Sequence, residues 1–419
     1  MNSVDRTHPP PFRLSSNYTL AQPEVLHFQG GQPLFTYRNI QQRVVRLELV
    51  FQAGKWFESK SGVSYFTTQL LRKGTRTRSA FQIASALDEL GAHLEATASF
   101  DTVTVTLLVL SKQLSRALPI LLEIISEPAF EEAELQQEKD IFIQNLRVNN
   151  EKTNIVASRE IRRAVFGGRH PYGNSTEESD VHSISTADLK QCFLDRFKLD
   201  SAYLVGPLSD VELNSLIDAF PLTRPAMRVI DLPAIQPGAS LRIEKPGSVQ
   251  ASIRLGKRCI TKRDSPDYFD AVMANHLLGG FFGSRLMKTI REEKGLTYGI
   301  HSSMNHFRHA SFWVISAEVN QQNAQQAIDE IHHEILKLQE GVSIDELEVA
   351  RNYFVGSWQS DNATLFAVSD KVRNLHEFHL PSDYYSHLLD HLMHMTPEHV
   401  QRAAREHFGS ENLLEVRVG

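Results

Sequence analysis

At 419 residues the chain exceeds one ordinary hydrophobic core and implies two domains or more. Hydrophobic content of 41%, charged content of 22% and a net charge of -6 fit a globular protein and argue against nucleic acid as its main partner. The two cysteines, Cys192 and Cys259, are too few for a disulfide framework or a cysteine-rich zinc site, which points to a structural role in a reducing compartment.

The first sixteen residues are polar and proline-rich, without the basic-then-apolar order of a signal peptide. No apolar run reaches membrane-spanning length; the longest, such as residues 103–110, are strand-sized. The expectation is a cytoplasmic protein with no membrane partner. A first strand is predicted over residues 44–54, followed by a helix over 62–72. A second helix over 79–91 places Ile83, Leu87 and Leu90 on one face and stops at Gly91. A strand pair follows at 92–99 and 101–110, the second alternating Val103, Val105 and Leu107 with threonines. Long helices come next, over 113–126 and from about residue 131.

The same order then recurs, and this internal repeat is the chain's organising feature. A strand over 248–258 leads into a helix over 266–278, opened by Ser265 and Pro266. After a glycine break comes a helix carrying Arg291, then a strand pair at 296–305 and 310–320. Helical segments over 323–341 and 342–358 echo those of the first copy. Between the copies, residues 220–240 hold Pro221, Pro225, Pro233 and Pro237 without periodicity and read as a linker. The expectation is α+β: two similar domains in tandem, 1–219 and 241–419, each an antiparallel-rich sheet packed with helices.

Within the second copy, SRLMKTIREEKGLTYGIHS sets Arg291 and Tyr298 at i and i+7 across a helix-ending glycine. Such a turn aims both side chains at one point, where they suit an extended peptide backbone or a developing oxyanion. An arginine brings a permanent charge and a planar fork of donors. Several histidines imitate metal motifs in composition only. His387, His391 and His394 lie at i, i+4 and i+7 beside Asp390; they read as a helix face. His332 with His333, and His376 with His379, lack a third ligand at suitable spacing. His170 reads as structural.

The order and spacing of several segments carry a family resemblance. They include GKWFESKSGVSYFTTQLLRKGT, LGAHLEATASFDTVTVTLLVL and LLGGFFGSRLMKTIREEKGLTYGI, and they extend over nearly the whole chain. The chain resembles the pitrilysin/insulinase-type metallopeptidases, the inverted zincins, and in particular their short two-domain subunits. The catalytic helix of that family carries H-x-x-E-H, whose histidines bind zinc and whose glutamate activates water. On that frame Tyr65 and Gln69 stand at the histidine positions and Thr68 at the general base. Asn145 stands at the third ligand. The resemblance therefore implies no zinc bound by this chain. It assigns Arg291 and Tyr298 to peptide binding and oxyanion stabilisation. It implies a zinc-bearing H-x-x-E-H partner subunit and an unfolded peptide substrate. The segment with Gly279, Gly280 and Gly283 is similar to the glycine-rich substrate loop of processing-peptidase subunits. Gln250 matches a family glutamine and reads as structural. The strand reaching from Ala98 to Leu110 corresponds to the family's edge strand and reads here as a packing or contact surface. The competing expectation is a structural or peptide-binding scaffold subunit in which the Arg/Tyr pair is vestigial.

Overall fold

The computed structural model describes residues 19–38, 40–220, 233–260 and 263–419. Of the expected linker, residues 221–232 therefore lie outside the described residues. The first half runs β1 (Glu24–His27), β2 (Pro33–Tyr37), β3 (Val44–Phe51), α1 (Val63–Leu70) and α2 (Ala80–Glu89). It continues with β4 (His93–Ala98), β5 (Val103–Leu110), α3 (Leu114–Ser126), α4 (Glu132–Glu151) and α5 (Thr153–Phe166). It closes with α6 (Glu178–Ser183), α7 (Thr186–Arg196), β6 (Leu199–Val205) and α8 (Asp210–Ala219).

The second half runs β7 (Leu241–Ile243), β8 (Gln250–Arg258), α9 (Pro266–Asn275), β9 (Thr297–His306) and β10 (Ser311–Asn320). Then come α10 (Ala324–Glu340), α11 (Ile344–Asp361), α12 (Leu365–Glu377), α13 (Tyr384–His394), α14 (Pro397–His407) and β11 (Leu414–Val418).

Local chemistry accounts for many of these boundaries. Ser79 and Gln82 form a reciprocal capping box at the start of α2, and Gly91 ends the element in the left-handed region at φ +57. Ser265 caps α9, with Pro266 in its first turn. On β5 the side chains of Val103, Val105, Leu107 and Val109 are buried while their neighbours face outward.

The two sheets share one strand order. The first is β1-β2-β6-β3-β5-β4 and the second β7-β11-β8-β10-β9, so the second repeats the first without its outermost strand. Among the described residues, the only parallel pair in each lies at the equivalent place, β2 with β6 and β7 with β11. All other pairings are antiparallel, which makes the chain α+β with two mixed sheets. One expectation needs correction. The strand β5 is not an edge; it pairs with β3 on one side and β4 on the other, so the exposed edge is β4.

Each half covers the other's sheet with one helix. Helix α5 of the first half lays Val156, Ile161 and Val165 onto Phe312, Val314, Val416 and Val418 of the second sheet. Helix α12 of the second half packs Val368, Val372 and Leu375 in one core with Val50, Tyr203 and Val205 of the first sheet. Ion pairs follow the same junction: Arg46 to Asp370 at 2.8 Å, Arg308 to Asp200 at 3.4 Å, and Arg373 to the buried Glu48. Trp56 lies 4.9 Å from the Tyr172 ring and 4.2 Å from that of His309, joining the halves at a third place. Among the described residues, no helix is long and apolar enough to cross a membrane.

Candidate functional site

The predicted helix over 266–278 is α-helical only to Asn275. It continues as a π-helical turn, His276–Gly280, and a second π-helical turn, Met287–Glu293, carries Arg291. Gly279 and Gly280 end the first turn, and Phe281, Phe282 and Gly283 lead on from it. A side chain at Gly279 would meet the backbone nitrogen of Ser302 at 2.7 Å, so only glycine lets this segment lie against β9. Phe281 turns inward and stacks on His276, with ring centroids 4.5 Å apart, and it also meets Tyr353 at 5.0 Å. Burial pushes the His276 imidazole down to about 4, keeping it neutral in this stack. Phe282, the next residue, points outward.

Ile290 and Leu286 anchor the Arg291 turn in the core. Gly295, at φ +63, then reverses the chain so that the Leu296 amide donates to the Ile290 carbonyl at 2.9 Å. Strand β9 starts at once, and its register against β10 shifts between Ala317 and Val319. Thus Tyr298 and Gly299 together face the single residue Glu318, which makes a β-bulge. A bulge re-aims the side chain it carries, and Tyr298 stands 92% exposed. The Thr297 hydroxyl donates to the Glu318 carbonyl at 2.6 Å and accepts from the Gly299 amide at 3.1 Å, holding the bulge in place.

Arg291 and Tyr298 line one cleft of about 880 Å³, together with Val249, Gln250, Phe282, Glu318 and Asn323. The Arg291 side chain makes no hydrogen bond or ion pair with a described residue; its guanidinium lies 4.7 Å over the Phe282 ring. The Glu318 carboxylate is engaged elsewhere, with Arg254 at 2.8 Å and with the Ser252 hydroxyl. Among the groups that line the cleft, the guanidinium is a cation with free donors. Gly279, Gly280 and Gly283 do not line it; the segment reaches the cleft through Phe282. Gln250, read from sequence as structural, does line it.

The zinc-motif positions lie in the first half. Tyr65 and Gln69 share the partly exposed face of α1, one turn apart. The Tyr65 ring is 5.0 Å from Phe142 of α4, and burial raises the pKa of its phenol, so it stays protonated. Thr68 is buried and donates to the Ser64 carbonyl at 2.7 Å. The Gln69 carbonyl faces Arg72 at 3.5 Å, and Asn145 is exposed on α4. A protonated phenol and two amides do not match the imidazole and carboxylate donors that zinc takes. These positions do not fit the metal. Beside them a hollow of about 230 Å³ is lined by Lys55, Glu58, Tyr65, Ser99 and Phe142. Burial pushes the Glu58 carboxyl up to about 7 although the Gly62 and Ser64 backbone amides stabilise its charge.

The histidine clusters disperse. His391 pairs with the buried Asp270 at 2.7 Å, which also holds Arg402 at 2.6 Å. His387 and His394 sit outside on the same helix, each near the aspartate one turn before it. His170 is buried against Phe166. Among the described residues, no group of three histidine, cysteine or acidic side chains is placed to hold a metal ion.

The comparisons agree with this architecture. The family model for "Insulinase (Peptidase family M16)" matches residues 34–179, and that for "Peptidase M16 inactive domain" matches residues 201–354. The chain therefore belongs to peptidase family M16, with two of its domains in tandem. It is 24% identical over 337 residues to the "Uncharacterized zinc protease YmxG" of Bacillus subtilis, which covers 78% of this chain and 82% of that protein. It is also 24% identical over 375 residues to the "Non-peptidase homolog YmxG" of Helicobacter pylori, covering 86% of this chain and 85% of the relative. The crystal structure of a peptidase M16 inactive domain from Pseudomonas fluorescens superposes with a TM-score of 0.85 at 25% identity, covering 95% of this chain and 98% of the other.

Proposed function

We propose that this chain is a non-catalytic subunit of a heterodimeric zinc metallopeptidase. It supplies Arg291 and Tyr298 in trans to a partner of the same family that carries H-x-x-E-H and holds the zinc. The substrate is an unfolded peptide enclosed between the two subunits, in the cytoplasm. The observation that carries this reading is the cleft itself. A guanidinium with unengaged donors stands beside an outward-turned phenol, in a chain whose own metal positions hold Tyr65, Thr68, Gln69 and Asn145.

The chemistry follows from the two side chains. The Arg291 fork donates two N–H groups in one plane, which suits a peptide carbonyl whose oxygen gains negative charge. The Tyr298 hydroxyl donates to the same oxygen. Both interactions strengthen as charge develops, so they act on turnover more than on binding. On the reconstituted pair, Arg291→Ala and Tyr298→Phe should each lower turnover by on the order of tenfold to a thousandfold. Wild-type turnover in both variants would sink the role.

The name of the Helicobacter pylori relative, a non-peptidase homolog, favours a second reading: a scaffold or peptide-binding subunit with no part in catalysis. The same two variants separate the readings, because a scaffold keeps its partner's turnover unchanged.

A further inference from the structure

We propose that Phe282 is a positioning and specificity residue of the Arg291–Tyr298 cleft, and that the cleft selects extended peptides carrying a large apolar side chain. The inference rests on the peptide-handling reading of this cleft and adds to it a substrate class. Three exposed apolar side chains from separate elements rim the cleft: Val249 before β8 at 73% exposure, Phe282 at 56% and Tyr298 at 92%. The exposure of Phe282 is built into the loop. Phe281 is held by the His276 and Tyr353 rings, Gly279 by its contact with Ser302, and the next side chain is left outside.

The Arg291 guanidinium carbon lies 4.7 Å over the Phe282 ring. A guanidinium held over an aromatic ring spends no conventional hydrogen bond on that contact, so its N–H donors stay available to the carbonyls of an extended chain. The ring therefore orients the donor fork and offers apolar surface to the side chain that follows the bound carbonyl. The path continues beyond the fork. A second hollow of about 500 Å³ shares Val249, Gln250 and Glu318 with the first and reaches Glu151, Lys152 and Asn154 at the α4–α5 junction. Charges along this path are mixed: Glu292, Glu318 and Glu151 stand with Arg291 and Lys152, and Glu318 and Glu151 are paired with Arg254 and Lys245, so the apolar rim sets the preference.

The test uses the full chain alone, so it needs neither zinc nor the partner. Fluorescein-labelled glycine/serine-rich peptides with Phe, Leu, Ala or Asp at one central position are titrated by anisotropy. Phe and Leu peptides should bind roughly tenfold more tightly than the Ala peptide, with Asp weakest. Phe282→Ala should erase the difference between Phe and Ala, while Phe282→Tyr should retain it. Matched thermal melts show that the variants are folded. A benzophenone-bearing peptide should crosslink at Val249, Phe282 or Tyr298. Equal affinities across the series, an unchanged preference in Phe282→Ala, absence of saturable binding, or crosslinking elsewhere would each overturn the proposal. Failure of the trans-supply reading is separate: it appears as unaltered turnover in the Arg291 and Tyr298 variants, whatever the peptide preference.

Discussion

At the scale of single residues, the pairing of Arg291 with Tyr298 was legible because both stand in one contiguous segment around a helix-ending glycine. What aims Tyr298 was not. The bulge depends on the pairing of β9 with β10, a contact that no local pattern in LTYGIHS announces. Phe282 escaped for a related reason: its sequence neighbourhood suggested a glycine loop, and only packing shows which of two adjacent phenylalanines is buried. Around α1 the resemblance pointed to Tyr65, Thr68, Gln69 and Asn145 as the positions of the zinc set, but nothing in it placed Glu58 on the hollow that Tyr65 lines. Its carboxyl moves from an ordinary 4.5 to about 7 through burial. The folded chain thus holds this proton more tightly than the unfolded chain, and folding stability falls as pH rises from about 4.5 to about 7. Glu58→Gln should accordingly raise stability near pH 8 by on the order of 2–3 kcal/mol, with the gain shrinking toward pH 5. Urea unfolding at both pH values checks this, and a pH-independent difference would refute it.

At the scale of elements, the repeat was readable from hydrophobic period, caps and turn glycines, because these are local. The destination of α5 was not, since an apolar helix face does not by itself say which sheet it covers. In the structure it crosses to the second half, where Gly256 makes room for it. A side chain on Gly256 would come within 3.0 Å of Ile161. Ile161, 2% exposed, is therefore a point where the two halves hold each other. Ile161→Ala should destabilise the chain by about 2–5 kcal/mol, through lost transfer energy and a residual cavity. A denaturation midpoint equal to wild type would show that α5 is dispensable to the junction. The two π-helical turns also have no sequence signature. The first holds Gly279 close to β9 and the second carries Arg291.

At the scale of the whole molecule, the exchange of α5 and α12 makes the two halves one body, although the family models match each half separately. A fragment of residues 1–225 expressed alone should therefore fail to melt cooperatively, because α5 would expose its apolar face and the first sheet would lose α12. Co-expression with residues 226–419 should restore a soluble complex; a cooperative melt from either fragment alone would contradict the exchange. The proposed division of labour gives this chain the donor pair and another chain the metal. Elemental analysis of the purified chain and of the assembled pair tests it most directly. The chain alone should carry only substoichiometric zinc and the pair one zinc per heterodimer. One tightly bound zinc in the chain alone would rule out that division.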